Sequence, residues 1–215
     1  MFEITKEVRD LDLPALQACL IARMNGEKDK IDAIVIASYD TLKRQDLLHL
    51  LARIATYLED SIDFSTKVGF QNYVDRSRDS RTFDIEHLLA NDLTKVNSDI
   101  SKGAKVPFPT LTEFSKKRSL LGGLILLPRG RNRSMKDMAY TDKLSRYTGE
   151  NVLAQTLTDA FFLNQPNWTK FASGSTIACA AIPIMDSTMI DQRGKFYLDV
   201  AKNIWNEENL NAILT

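Results

Sequence analysis

One of the two histidines in the chain, His87, stands in Asp84-Ile85-Glu86-His87, which places a base directly beside two carboxylates. In an extended chain alternate side chains share a face. Asp84 and Glu86 therefore point one way and His87 the other, until the strand ends and its last residue can swing. The base is then adjacent to the carboxylates without being neutralised by them. A hard cation such as Mg2+ takes oxygen ligands, and a carboxylate plus an amide carbonyl from elsewhere would supply them while leaving positions for phosphate oxygens and water. Asn132, in Gly130-Arg131-Asn132-Arg133-Ser134, is a candidate for that amide. A neutral imidazole, with an ordinary pKa of about 6.5, can take a proton from water near neutral pH. The other histidine, His49, sits among Leu47, Leu48, Leu50 and Leu51, where packing on or in a helix is the simpler reading.

The elements that must position these residues are predicted from periodicity. From Leu13 to Phe64 apolar residues recur at helical spacing, with Leu47, Leu48, Leu51, Ile54, Leu58 and Ile62 in one stripe. Asp12 before Leu13-Pro14 marks a helix start, and Asn25-Gly26 a break. Between Tyr73 and Phe83 the sequence turns polar and the helical period is lost, which divides the chain into a helical subdomain, 1–74, and a second unit, 75–215. There a short extended run ends at His87, and the apolar run Leu120 to Leu127, interrupted by Gly122-Gly123, reads as a buried strand. A turn from Arg129 to Ser134 and helices over Met138 to Tyr147, Val152 to Leu163 and Ile190 to Trp205 complete the pattern. Thr176 to Met185 is too short for periodicity to decide between strand and helix. The expected class is α+β and predominantly helical.

Composition narrows the function classes. The chain has 215 residues, 44% of them hydrophobic, with nine Gly and six Pro, which suits a chain with a packed core and argues against a disordered or collagenous polymer. Cys19 and Cys179 lie far apart with no CxxC pair, so neither a disulfide framework nor a tetrahedral zinc site is expected. The start, MFEITKEVRD, has no secretory pattern, and the longest apolar runs are about half of the roughly 20 residues a membrane span requires. A cytoplasmic protein without a membrane partner is expected. The 28 basic residues balance 28 acidic ones, yet the charge is uneven. Lys116, Lys117, Arg118, Arg129, Arg131, Arg133, Lys136, Lys143 and Arg146 against Asp137 and Asp142 give +7, leaving −7 on the other 184 residues. A charge run is usually a solvated face, but this one flanks the proposed cation site, where Lys and Arg would serve phosphate contacts.

The order Asp-x-Glu-His, a Gly-Gly-Leu-Ile-Leu-Leu strand, Asn132 and a helix containing Asp142-Lys143-Leu144 resembles an HNH, or His-Me finger, nuclease with a ββα-metal finger. Within that superfamily it is most similar to the nuclease half of GmrSD-type modification-dependent restriction enzymes, including the C-terminal domain of the related phage-defence protein SspE. DIEHLL, from Asp84 to Leu89, and the segment from Leu120 to Tyr147 bear the resemblance, and Asp191-Gln192-Arg193 with Asn203-Ile204-Trp205 fits the end of such a domain. The resemblance implies a finger from about Phe83 to Tyr147. It implies His87 as general base, Glu86 and Asn132 as ligands of Mg2+, for which Mn2+ can substitute, and Asp84 as an outer carboxylate. The implied DNA contacts are Lys116, Lys117, Arg118, Arg129, Arg131, Arg133, Lys136 and Lys143.

It further implies a DNA endonuclease in defence against foreign DNA, working with an NTPase or modification-sensing domain or separate subunit, and open to homo-oligomerisation. No Walker-type motif is present in the chain. Two positions depart from the family pattern. The middle Asn of the triad, which ties the loop by hydrogen bonds, falls on Gly123, and the Pro three residues after the His is Ala90. Gly123 keeps a second reading open, a catalytically degenerate scaffold that binds DNA or a partner. A helical interaction module with a coincidental DIEH is the third.

Overall fold

A computed structural model describes residues 6–26, 28–77, 82–206 and 208, with only the backbone at 28 and 29. The first five residues and positions 78–81, at the centre of the polar boundary, lie outside the described residues. Asp12 does start a helix: its Oδ1 accepts from Ala15 N at 2.9 Å at the head of α1 (Leu13–Gly26). There follow α2 (Lys28–Asp32), a 3-10 turn (Ala33–Ile36) and α3 (Arg44–Ser61). The stripe read from the sequence is the buried face of α3, since Leu47, Leu48, Leu51, Ile54 and Leu58 are wholly inaccessible, and Ile62 just beyond it is too. A single hydrophobic cluster runs from Leu47 to Val200 and includes residues on both sides of position 74.

After α4 (Phe70–Val74) comes β1 (Phe83–His87), then α5 (Leu93–Lys102) and α6 (Leu111–Ser119). A 3-10 turn (Leu121–Gly123) leads into β2 (Leu124–Pro128), followed by α7 (Arg129–Met135) and α8 (Tyr140–Tyr147). The strands form a two-stranded antiparallel sheet in which His87 faces Leu124 and Phe83 faces Pro128. The chain closes with α9 (Val152–Gln155), α10 (Asp159–Asn164), α11 (Pro166–Ser173) and α12 (Ser187–Ile204). The result is a mainly helical α+β fold around a small hairpin. Among the described residues no helix is long and apolar enough to cross a membrane.

Four elements differ from the periodicity reading, three of them for a local reason. The strand begins after the two glycines, not before them, because the glycines turn where other backbone approaches closely. A Cβ on Gly122 would lie 2.0 Å from the Ile190 carbonyl oxygen and 2.6 Å from Gly194 N, so only glycine lets α12 cross there. The expected turn at Arg129 to Ser134 is a helix, α7, entered from the extended backbone of Pro128. The expected helix from Val152 to Leu163 is two, because Asn151 caps one, accepting from Leu153 N and Ala154 N, and Thr158 caps the next, accepting from Phe161 N. Thr176 to Met185 is neither strand nor helix.

β2 is locked from behind. Leu124, Ile125, Leu126 and Leu127 are wholly buried, the Tyr197 hydroxyl of α12 donates to Leu124 O at 3.0 Å, and Asn151 Nδ2 donates to Leu126 O at 2.6 Å. These bonds set the strand against which His87 is registered. Replacing Gly122 by Ala forces α12 away from that strand and should cost about 2–3 kcal/mol in urea unfolding. Gly130→Ala, within α7 and with nothing within 4 Å of the added methyl group, should instead be neutral or gain up to about 1 kcal/mol.

Candidate active site

His87 is the last residue of β1, and the chain turns immediately after it. Leu88 N donates to Gly123 O at 2.9 Å, and Arg118 Nε donates to Leu89 O at 2.8 Å, so the turn is held by the segment that precedes β2. The imidazole is half-buried, with the Tyr39 ring edge-on to it at 4.9 Å between centroids. Tyr39 is set there by an isolated bridge between Ser38 and Leu120, with Tyr39 N donating to Ser119 O at 2.8 Å. Burial pushes the His87 pKa down to about 3; Arg118 and Lys143 add to the fall and Asp40 opposes it. The ring is therefore neutral across the physiological range.

Glu86 points to the other face, as alternation along the strand requires, and is 5% exposed. Its Oε1 takes a hydrogen bond of 2.6 Å from Lys143 Nζ, and the same ammonium donates to His87 O at 3.0 Å. Burial raises the Glu86 carboxyl and lowers the Lys143 ammonium from their ordinary values, and each charge opposes that shift in the other. Lys143 has no exposed surface at all, so the expectation of a DNA contact there is corrected: its ammonium faces the core side of β1. The Tyr147 hydroxyl, one turn further along α8, is buried without a hydrogen-bond partner among the described residues, and burial and then the Glu86 charge raise its pKa well above the ordinary value.

Asn132 sits half-buried on α7, with Nδ2 donating to Ile85 O at 3.0 Å, so that the helix is tied to β1. Asp84 is taken up by the Arg44 guanidinium of α3 and by Ile85 N at 2.7 Å. The structure thus brings His87, Glu86 and Asn132 to one hairpin and its following helix, and turns Asp84 toward α3. Sequence reasoning missed Arg44, Tyr39 and Asp40, which reach the hairpin from elements far away in the chain and have no local motif.

Among the described residues no group of three or more His, Cys, Asp and Glu gathers to hold a metal. Glu86 Oε2 and Asn132 Oδ1 make no hydrogen bond among the described residues, whereas Asp84 is committed. Glu86 Oε2 and Asn132 Oδ1 are oxygens of the class a hard cation takes, though the Glu86 carboxylate lies buried against Lys143 on the face away from His87. The remaining basic positions divide. Lys116, Arg131, Arg133 and Lys136 are exposed, and Lys117, Arg118 and Arg129 are half-buried. Lys117 pairs with Asp191 at 2.6 Å and Arg131 with Glu150 at 3.2 Å. Gly123 is buried, and a Cβ there would lie 2.6 Å from Arg118 O, so the position has no room for a side chain unless the backbone shifts.

Comparison with protein families matches residues 27–172 to the GmrSD restriction endonucleases, C-terminal domain. No curated protein and no solved structure matches the chain.

Truncating Lys143 to Ala leaves the Glu86 carboxylate buried and alone, which should cost about 3–5 kcal/mol in urea unfolding, whereas the double variant Glu86→Leu with Lys143→Met should recover most of that loss. The His87 pKa supplies a second expectation, for the metal-free protein. Its ring resonances should stay at their neutral-form shifts from pH 8 down to about pH 5, instead of moving near 6.5. Because the folded value lies below the unfolded one, His87 contributes a loss of stability that grows as pH falls through about 6.5 toward about 3.

Proposed function

The chain belongs to the GmrSD restriction endonucleases, as a C-terminal domain of that family, and on that footing we propose that it hydrolyses phosphodiester bonds in foreign DNA with a single Mg2+ at a His-Me finger site. The observation on which this reading rests is the hairpin that ends in a neutral, half-buried His87 with Asn132 of the next helix bonded to its strand. His87 accepts the proton of the attacking water; its position is fixed by the strand register on one side and by the Tyr39 ring on the other. Glu86 Oε2 and Asn132 Oδ1 would hold the cation, which when bound supplies charge for the phosphate and the leaving oxygen. Lys143 stabilises the Glu86 carboxylate from beneath, and Asp84 acts through Arg44 on the packing of β1 against α3.

Lys116, Lys117, Arg129, Arg131, Arg133 and Lys136 are the proposed phosphate contacts. Their distribution over α6, α7 and the segment after it suits a track along a backbone better than a reader of base edges. The targeting element would be an NTPase or modification-sensing domain or subunit, in keeping with the family's description of this part as C-terminal.

Incubating supercoiled plasmid with the protein and Mg2+ or Mn2+ tests the reading. Wild type should nick or linearise the DNA, and His87→Ala and Asn132→Ala should each lower the rate by on the order of 10²-fold or more. Salt-sensitive binding with no nicking under either cation would overturn it in favour of a degenerate scaffold.

A further inference from the structure

The turn after His87 has to be rigid if the imidazole is to face a phosphate, yet the position where the family places its loop-tying Asn is Gly123. That position cannot be refilled. A Cβ there would lie 2.6 Å from Arg118 O and 3.3 Å from the Arg118 carbonyl carbon, both backbone atoms that have no rotamer with which to yield. The residue whose backbone closes the space also supplies a side chain to the turn. Arg118 Nε donates to Leu89 O at 2.8 Å, two residues beyond His87, while Gly123 itself contributes only its carbonyl, to Leu88 N at 2.9 Å. Arg118 is half-buried at the end of α6, where Ser119 and Leu120 continue into the bridge that seats Tyr39 on the His87 ring.

We propose that Arg118 is a positioning residue for His87: its guanidinium takes over the loop-tying role of the amide missing at Gly123, with the Nε to Leu89 O bond as the tie. The inference rests on the nuclease reading for its catalytic consequence, though not for the tie itself. Arg is suited to the task because its fork leaves two terminal nitrogens after Nε is used, and neither makes a hydrogen bond among the described residues. A Lys at this position keeps the charge and loses the fixed donor.

The experiment uses the whole chain and two readouts. The first is amide hydrogen exchange at Leu88 and Leu89 without DNA or metal. The second is plasmid nicking with Mg2+, with kcat and KM separated and His87→Ala as the baseline. In Arg118→Met and Arg118→Lys alike, exchange at Leu88 should accelerate by tenfold or more while Glu86, paired with Ile125 in the strand, stays protected. The kcat should fall by on the order of 10²-fold, since a misplacement of about 1 Å at a reacting group has that effect. The KM should change far less. Adding Gly123→Asn to Arg118→Met should not restore kcat.

Arg118→Lys is the variant that keeps charge and helix intact should Arg118→Met fold poorly. Unchanged Leu88 exchange and unchanged kcat in Arg118→Lys would overturn the proposal. A rise in KM with a smaller salt slope and no loss of kcat would also overturn it, making Arg118 a phosphate contact alone. Restored kcat in the Asn double variant would refute the steric half. A wild type that does not nick sinks the nuclease reading, and the exchange result still decides the tie.

Discussion

The ion pair between Lys143 and Glu86 is the interaction on which the hairpin depends. Two opposite charges with almost no access to water lie 2.6 Å apart, and the ammonium also grips the carbonyl of His87 at 3.0 Å. Desolvating such a pair opposes folding by several kcal/mol per ion, and the pair earns its place only when the geometry is complete. Here the completion is structural. α8 is fastened to the last two residues of β1 at once, so the direction in which the strand ends, and with it the emergence of His87, follows from where Lys143 can reach. A hydrophobic pair of equal volume would pack but would leave the His87 carbonyl without its donor.

Everything on the other side of the sheet opposes that pull with backbone contacts. Gly122 lets α12 come within the distance that any side chain would forbid, and Tyr197 and Asn151 then bond the carbonyls of Leu124 and Leu126. β2 is consequently fixed from α12 and α9, β1 is fixed from α8 and from Asn132 of α7, and the register between the strands sets His87 opposite Leu124. The two glycines serve different neighbours. Gly122 yields to α12, and Gly123 yields to the end of α6, which is why the pair interrupts an otherwise apolar run that would extend the strand.

Much of this was legible in the sequence because it depends on periodicity or on short-range order. The α3 stripe and the helix start at Asp12 each follow from spacing, while Asn132 was tied to the DIEH segment through the family resemblance. What was not legible depends on which of two polar partners a residue meets. Lys143 lies among Asp142, Arg146 and the other charges of a basic segment, and nothing in that pattern says that α8 turns this one inward while Arg146 stays exposed. Asp84 looks equivalent to Glu86 in the motif, and only the placement of Arg44, from a helix some forty residues earlier, separates them. Thr158 was a cap residue hidden within one apparent helical pattern that began just after Asn151, where the apolar period ran on across the break.

The charge distribution sharpens in the same way. Of the nine basic side chains between Lys116 and Arg146, Lys143 is neutralised in the core, Lys117 by Asp191 and Arg131 by Glu150. The Lys117 pair reaches the surface, where an ion pair is worth about 0–1 kcal/mol, so a phosphate can displace Asp191 at little cost. Glu150, by contrast, is only 9% exposed and would be left nearly buried if Arg131 turned to a phosphate. The Lys143 pair cannot be exchanged in this way. On the proposed function, the basic segment is therefore weaker at a distance than its formal +7 suggests, because its own frame already screens part of it, yet it is fully competent once a backbone is in contact. A surface with that character discriminates poorly between DNA sequences and captures DNA slowly, which places the choice of target, on this reading, with a sensing partner and leaves to this chain the geometry around His87.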